Sequence, residues 1–175
     1  MPLKELYDNM VITDPDRFVW SVNKINEHAP RYKTVADKTG VPWQVIAALH
    51  HREASGDFSS HLHNGDPLTA RTIHVPAGRP SIGHPPFSWE YSAVDALTLD
   101  KMGTIDWKDT NAALDRIERY NGIGYRSHGV NSPYVWAGTN HYTKGKYVAD
   151  GHFDADVSDK QPGCAGMLKL LKFHT

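Results

Sequence analysis

Cysteine is almost missing from this chain. Cys164 is the only one in 175 residues, so no intramolecular disulfide can form and nothing suggests an oxidised scaffold. Charge of one sign is missing too. With 19 Lys and Arg against 20 Asp and Glu the formal net charge is -1, and no long basic or acidic run occurs. That leaves no electrostatic footprint for nucleic acid. No apolar run approaches the length of a membrane span, so no membrane anchor is expected. The N-terminus, Met1-Pro-Leu-Lys-Glu-Leu-Tyr-Asp8, lacks the charged-then-apolar layout of a signal peptide, which predicts synthesis and folding in a cytoplasm. Metal-binding spacings are also lacking. His50-His51, His61-Leu-His63 and Asp150-Gly-His-Phe-Asp154 offer donors for a zinc peptidase, but neither His-Glu-x-x-His nor a Cys pair is present. Asp154, Asp156, Ser158 and Asp159 lack the Gly turn and distal Glu of a calcium loop, and read as a solvated polar loop. No metal and no cofactor is implied.

Helical patterns are present and flank a long irregular middle. Asp14-Pro15-Asp16 signals a start, with Phe18, Val19, Val22 and Ile25 as an apolar face up to about Glu27. A second helix covers Arg31 to Lys38 and stops at Gly40. A third follows Val41, with Pro42 at its first position and Trp43, Ile46, Leu49 and Glu53 at three- and four-residue steps. From Ser55 to Pro86 closely spaced Gly and Pro forbid long regular elements, and short extended pieces such as Thr72-Ile-His-Val75 fit best. Ser88 reads as an N-cap for a helix to about Met102, with Val94, Leu97 and Tyr91 inward. Another helix runs from Thr110 to about Tyr120, and Met167, Leu168, Leu170 and Leu171 suggest a closing helix. The expected fold is mainly α (α+β): one domain over residues 1–175 with a small β-rich or irregular insert.

Three pieces carry candidate chemistry. Glu53 shares a stripe with Ile46 and Leu49 near a helix C-terminus, where desolvation and unpaired carbonyls favour a protonated carboxyl. A general acid needs that state; the alternative is a helix end that leaves Glu53 solvated. Asp66, in His63-Asn-Gly-Asp-Pro67, either caps its own turn or serves as the second carboxylate that glycoside hydrolysis uses. Asp57 reads as a loop-opening residue. Arg119-Tyr-Asn-Gly-Ile-Gly-Tyr125 ends a helix with two glycines that let the backbone approach a ligand. Tyr120 and Asn121 there offer an apolar face, a hydroxyl and an amide suited to a sugar, or else a helix cap and a core ring.

These residues resemble a family. Ile46-Ala-Ala-Leu-His-His-Arg-Glu53-Ala-Ser55 is similar to the segment of goose-type lysozymes and soluble lytic transglycosylases in which an apolar helix ends in the catalytic Glu followed closely by Ser. Tyr120-Asn-Gly-Ile-Gly124 resembles the Tyr-Asn-x-Gly element of the same superfamily, and Asp66 lies thirteen positions after Glu53, close to the spacing of an assisting Asp in goose-type lysozymes. Leu49-His-His-Arg-Glu-Ala-Ser-Gly-Asp-Phe58, Asn64-Gly-Asp-Pro-Leu68 and Val75-Pro-Ala-Gly-Arg-Pro80 look like endolysins of phages infecting Gram-negative bacteria. Two departures stand out: Ala54 separates Glu53 from Ser55, and a Pro-rich stretch replaces the Gly-Leu-Met-Gln segment of the relatives.

The resemblance implies a lysozyme-like fold and cleavage of the β-1,4 bond between N-acetylmuramic acid and N-acetylglucosamine. Glu53 and Asp66 would be catalytic, while Tyr120, Asn121, Ser55 and Tyr125 would contact the sugar. The implied partner is a peptidoglycan glycan strand, met by a monomer made in the host bacterial cytoplasm and released to the periplasm. Water as the attacking group gives a muramidase. The muramyl 6-hydroxyl instead gives a lytic transglycosylase and a 1,6-anhydro end. A zinc peptidase, or a non-catalytic wall-binding module using Trp89, Tyr134, Trp136, Tyr142 and Tyr147 as a glycan platform, remains the alternative of a different class. Cys164, without a paired base, reads as a small buried residue.

Overall fold

Local capping chemistry marks several of the helix boundaries. The computed structural model describes residues 1–174. Among them are the helices α1 (Leu3–Asp8), α2 (Asp16–Glu27), α3 (Ala29–Thr39), α4 (Trp43–Ala54), α5 (Trp89–Leu99), α6 (Thr110–Asn121), α7 (Pro133–Trp136) and α8 (Cys164–Leu170). Strands β1 (Lys146–Ala149) and β2 (His152–Asp154) form the one small sheet described. The protein is mainly helical. The described residues gather into two compact units, a central one of Lys24–Ile105 and a terminal one of Met1–Asn23 with the chain from Asp106 on.

In the central unit, α3 packs against both α4 and α5. Pro30 sits in the first turn of α3, where its missing N–H costs nothing, so the helix begins earlier than Arg31. Gly40 ends it in the left-handed region (φ 74°), its N–H donating to the Ala36 carbonyl. Pro42 is the N-cap of α4, one position before that expected. This helix is not amphipathic: every residue from Val45 to His51 is buried. Ser88 caps α5 as expected, its hydroxyl accepting from the Tyr91 N–H. The buried face of α5 is Trp89, Ala93, Ala96 and Leu97, whereas Tyr91 is 44% exposed. The inward placement of Tyr91 is therefore corrected, because Ala93 and Ala96 let the helix approach its neighbours on the other side. The helix stops at Leu99, and Lys101 in the left-handed region turns the chain into a 3₁₀ turn over Met102–Thr104.

Between α4 and α5 the chain is irregular, with one isolated bridge between Ser60 and Pro67. Of the two expectations for this insert the irregular one holds. Thr72–Val75 is not a strand: the Thr72 N–H donates to the Arg79 carbonyl and the Thr72 hydroxyl to the Pro76 carbonyl, which closes a tight loop.

The β structure lies instead in the terminal unit. There β1 and β2 form an antiparallel hairpin that pairs Lys146 with Asp154 and Tyr147 with Phe153, with a bulge between Tyr147 and Ala149. In the same unit α6 packs against α1 and α7, and α7 against α8. Asp109 caps α6 by accepting from the Asn111 and Ala112 N–H groups, and Ala113, Leu114 and Ile117 form its buried face. On α2 the buried residues of this unit are Phe18 and Ser21, and Val19 is 53% exposed rather than part of the apolar face. The Phe18 ring decides that rotation. It fills the space over Gly138 and Gly166, where an added Cβ would sit only 2.6 Å and 2.4 Å from the ring.

Candidate functional site

Glu53 occupies the last turn of α4 and is exposed. It continues the azimuth of Ile46 and Leu49, both 0% exposed, but the core ends before the helix does. The expectation that burial keeps this carboxyl protonated is corrected on that point. What the fold supplies is position. Ser55 (φ 52°) and Gly56 (φ 75°) are both left-handed and break the helix at once, their N–H groups donating to the His51 and His50 carbonyls. The carboxyl thus sits on the end of a rigid, buried helix, where the irregular segment begins.

Two histidines hold that junction. The Tyr32 hydroxyl lies 2.9 Å from His50 Nδ1, and His50 Nε2 lies 2.9 Å from the Asp57 carbonyl oxygen. The carbonyl requires a proton on Nε2, so a neutral ring accepts the Tyr32 proton at Nδ1. Burial pushes the pKa of His50 down to about 4, in keeping with that neutral form. His51 is pushed down to about 4 as well, by burial first and then by the proximity of His50 and His28, whose protonation would oppose its own. A Cβ on Gly56 would lie 2.6 Å from the His51 ring, so only glycine lets the chain pass. Around His50 the rings of Tyr32, Phe58 and Trp89 pack at centroid distances of 4.5–5.8 Å. The Arg31 guanidinium covers Phe58 at 3.9 Å and donates to Glu90 at 2.5 and 3.2 Å. Asp57 opens the loop as expected, Oδ1 accepting from the N–H and hydroxyl of Ser59 at 2.8 and 2.7 Å.

Asp66 is 7% exposed, and loop donors occupy both its oxygens. Oδ2 accepts from the Ile73 and His74 N–H groups at 2.8 and 3.0 Å, and Oδ1 lies 2.6 Å from His74 Nδ1. These bonds, that of the His74 ring first, hold its pKa down to about 2. A carboxylate so stabilised is a poor base, so the geometry favours a loop-organising role over direct deprotonation of water.

A second network fixes the same segment to α5. His61 Nε2 donates to the Ala70 carbonyl at 2.8 Å, and Nδ1 lies 2.6 Å from the Ser92 hydroxyl. His63 Nε2 lies 2.6 Å from Asp95, whose two oxygens also accept from Arg79 at 2.5 and 3.0 Å. His61 and His63, offered as zinc ligands, thus pin the loop to α5. Among the described residues no group of three or more His, Cys, Asp or Glu could hold a metal ion. Sequence spacing gave no sign of these pairs, whose members lie 29 to 32 positions apart.

The remaining candidates belong to the terminal unit. Tyr120 is half-buried and Asn121 exposed at the C-terminal end of α6, followed by Gly122 at φ 108°. Tyr125 is buried, and its hydroxyl accepts from the Tyr147 N–H at 3.1 Å. That bond and its packing on Tyr147 and Phe153 make it a support of the hairpin rather than an open sugar contact. Trp89, Tyr134, Trp136 and Tyr142 are all buried, which leaves Tyr147 alone of the five rings proposed as a glycan platform. Cys164 is fully buried. Asp159 corrects the solvated-loop reading: it is 2% exposed, accepting from the Gln161 N–H at 2.8 Å with Lys146 Nζ 3.6 Å away. Comparisons with protein-family models, curated proteins and solved structures each give no match to this chain.

Proposed function

We propose that this chain is a peptidoglycan-degrading glycosidase of the endolysin type, cleaving the β-1,4 bond between N-acetylmuramic acid and N-acetylglucosamine with Glu53 as proton donor. The observation that carries this reading is an exposed carboxyl on the last turn of a helix buried from Val45 to His51, beside a hydrogen-bonded irregular wall. Rigid support and an open approach are what a group meeting a polymer needs. A glycan strand laid over Glu53 would exclude water from its exposed side chain, which favours the protonated form that a proton donor needs. Glu53 then protonates the glycosidic oxygen as the bond breaks, and water attacks the sugar carbon. Ser55 follows Glu53 closely enough to add a hydroxyl contact. The chain would act as a monomer, made in the host cytoplasm and reaching the periplasm through a pore formed by another protein.

A second reading has a specific observation in its favour. Both oxygens of Asp66 are engaged, so attack by the muramyl 6-hydroxyl, as in a lytic transglycosylase, gains weight. Mass spectrometry of digested peptidoglycan separates the two: reducing ends mark hydrolysis, 1,6-anhydro ends mark transglycosylation, and free peptide stems refute both. Glu53→Gln keeps shape and removes the proton donor. Its rate of glycan cleavage is expected to fall about 10²–10⁴-fold, with an unchanged circular dichroism spectrum. Lysis of outer-membrane-permeabilised cells at the wild-type rate would sink the assignment.

A further inference from the structure

His74 is an unusually constrained residue for one so open to solvent. Its side chain is 74% exposed, yet nearly every polar group it carries is tied down. Its N–H donates to Asp66 Oδ2 at 3.0 Å, its carbonyl accepts from the Asn64 amide at 2.9 Å, and Nδ1 lies 2.6 Å from Asp66 Oδ1. Only Nε2 has no partner among the described residues. The loop behind it is fastened as well. The Arg71 guanidinium donates to the Pro80 and Gly83 carbonyls, the Arg79 N–H to the Thr72 hydroxyl, and the Arg79 guanidinium to Asp95.

Burial of the ring does not account for such anchoring, because the ring buries little surface. The arrangement does one chemical thing well. An ionised carboxylate on Nδ1 sets the tautomer, so that the neutral ring presents the Nε2 lone pair outward in a fixed direction. We propose that Asp66 and His74 form a proton-accepting dyad, with His74 Nε2 as the base that completes the site of Glu53 in the same central unit. The proposal rests on the glycosidase reading above. Glu53 gives its proton to the leaving oxygen as the glycosidic C–O bond breaks. The attacking O–H, that of water in hydrolysis, forms the new C–O bond and loses its proton to Nε2. Proton return from His74 to Glu53 through solvent resets the site. Asp66 acts only through His74 and is a positioning residue.

The test is the pH profile of kcat/KM for wild type and His74→Ala on purified peptidoglycan, followed as new glycan ends. His74→Ala keeps the backbone N–H bonds of residues 73 and 74 to Asp66, so it is expected to fold, with a somewhat lower melting point than wild type. Its rate should fall about 10²–10⁴-fold. The acid limb of the profile, which reports a base that must be unprotonated, should vanish, and added imidazole should restore part of the rate. Asp66→Asn should alter the same limb. Wild type that releases no glycan ends defeats the glycosidase reading itself. Wild type that releases them, while His74→Ala keeps either its rate or its acid limb, defeats only the dyad.

Discussion

At Asp66 three hydrogen bonds from Ile73 and His74 converge on one carboxylate, which makes it a stability determinant with a defined pH window. Its folded pKa is depressed to about 2, against about 3.9 in an unfolded chain. The ionised group therefore stabilises the fold above about pH 4, and that stabilisation is lost as pH falls through about 2. A thermal midpoint that falls less steeply between about pH 4 and 2 in Asp66→Asn than in wild type is the expected pattern. The remaining slope comes from Asp57, Glu90, Asp115 and Asp156, whose pKa values are also lowered. Gly56 is another residue whose identity is dictated. Ala there meets both a left-handed backbone and the His51 ring at 2.6 Å, a strain on the order of 1–3 kcal/mol. Gly56→Ala should lower the unfolding midpoint and, on the glycosidase proposal, glycan cleavage with it, since the same turn aims Glu53. Loss of neither would mean that the turn relaxes freely. The turn sequence Asn64-Gly-Asp-Pro67 announced a local Asp, but nothing in it named His74 as the partner, because only folding brings residue 74 back onto residue 66.

The element that matters most is α4. Its sequence announced a helix, a buried Ile46 and Leu49, and an acid near the end, and all three are present. Periodicity could not show that the helix is buried on nearly all sides, nor that Glu53 lies beyond the core, since both depend on what packs around it. Its two histidines give it a second pH window. Their folded pKa values of about 4 lie below the ordinary value of about 6.5, so between those limits the unfolded chain binds protons that the fold refuses. Stability is then expected to fall as pH drops from about 6.5 to about 4, by on the order of a few kcal/mol for the pair. Urea unfolding at steps across that range measures it. A flat profile would show that the rings charge without leaving their sites. Elsewhere, Ser88 and Gly40 marked their helix ends correctly because caps are local chemistry. The β1–β2 hairpin went unread, because cross-strand pairing leaves no mark in two such short segments.

Across the whole molecule, a single thiol offers a probe of opening. Cys164 is fully buried at the start of α8, so a thiol reagent should label the native protein only as fast as the terminal unit opens, and stoichiometrically once it unfolds. Rapid labelling of the native state would contradict that burial. A reductant should not move the unfolding midpoint, since one cysteine closes no loop. Near-zero net charge, a mainly helical make-up, the helix stops and the irregular run after Glu53 all follow from composition and short-range preference, which act over a few residues. Which face of α2 or α5 turns inward, whether Glu53 is dry, and what Asp66 holds were decided only by tertiary structure. Burial and hydrogen-bond partnership are set by groups distant along the chain, and no local pattern encodes them.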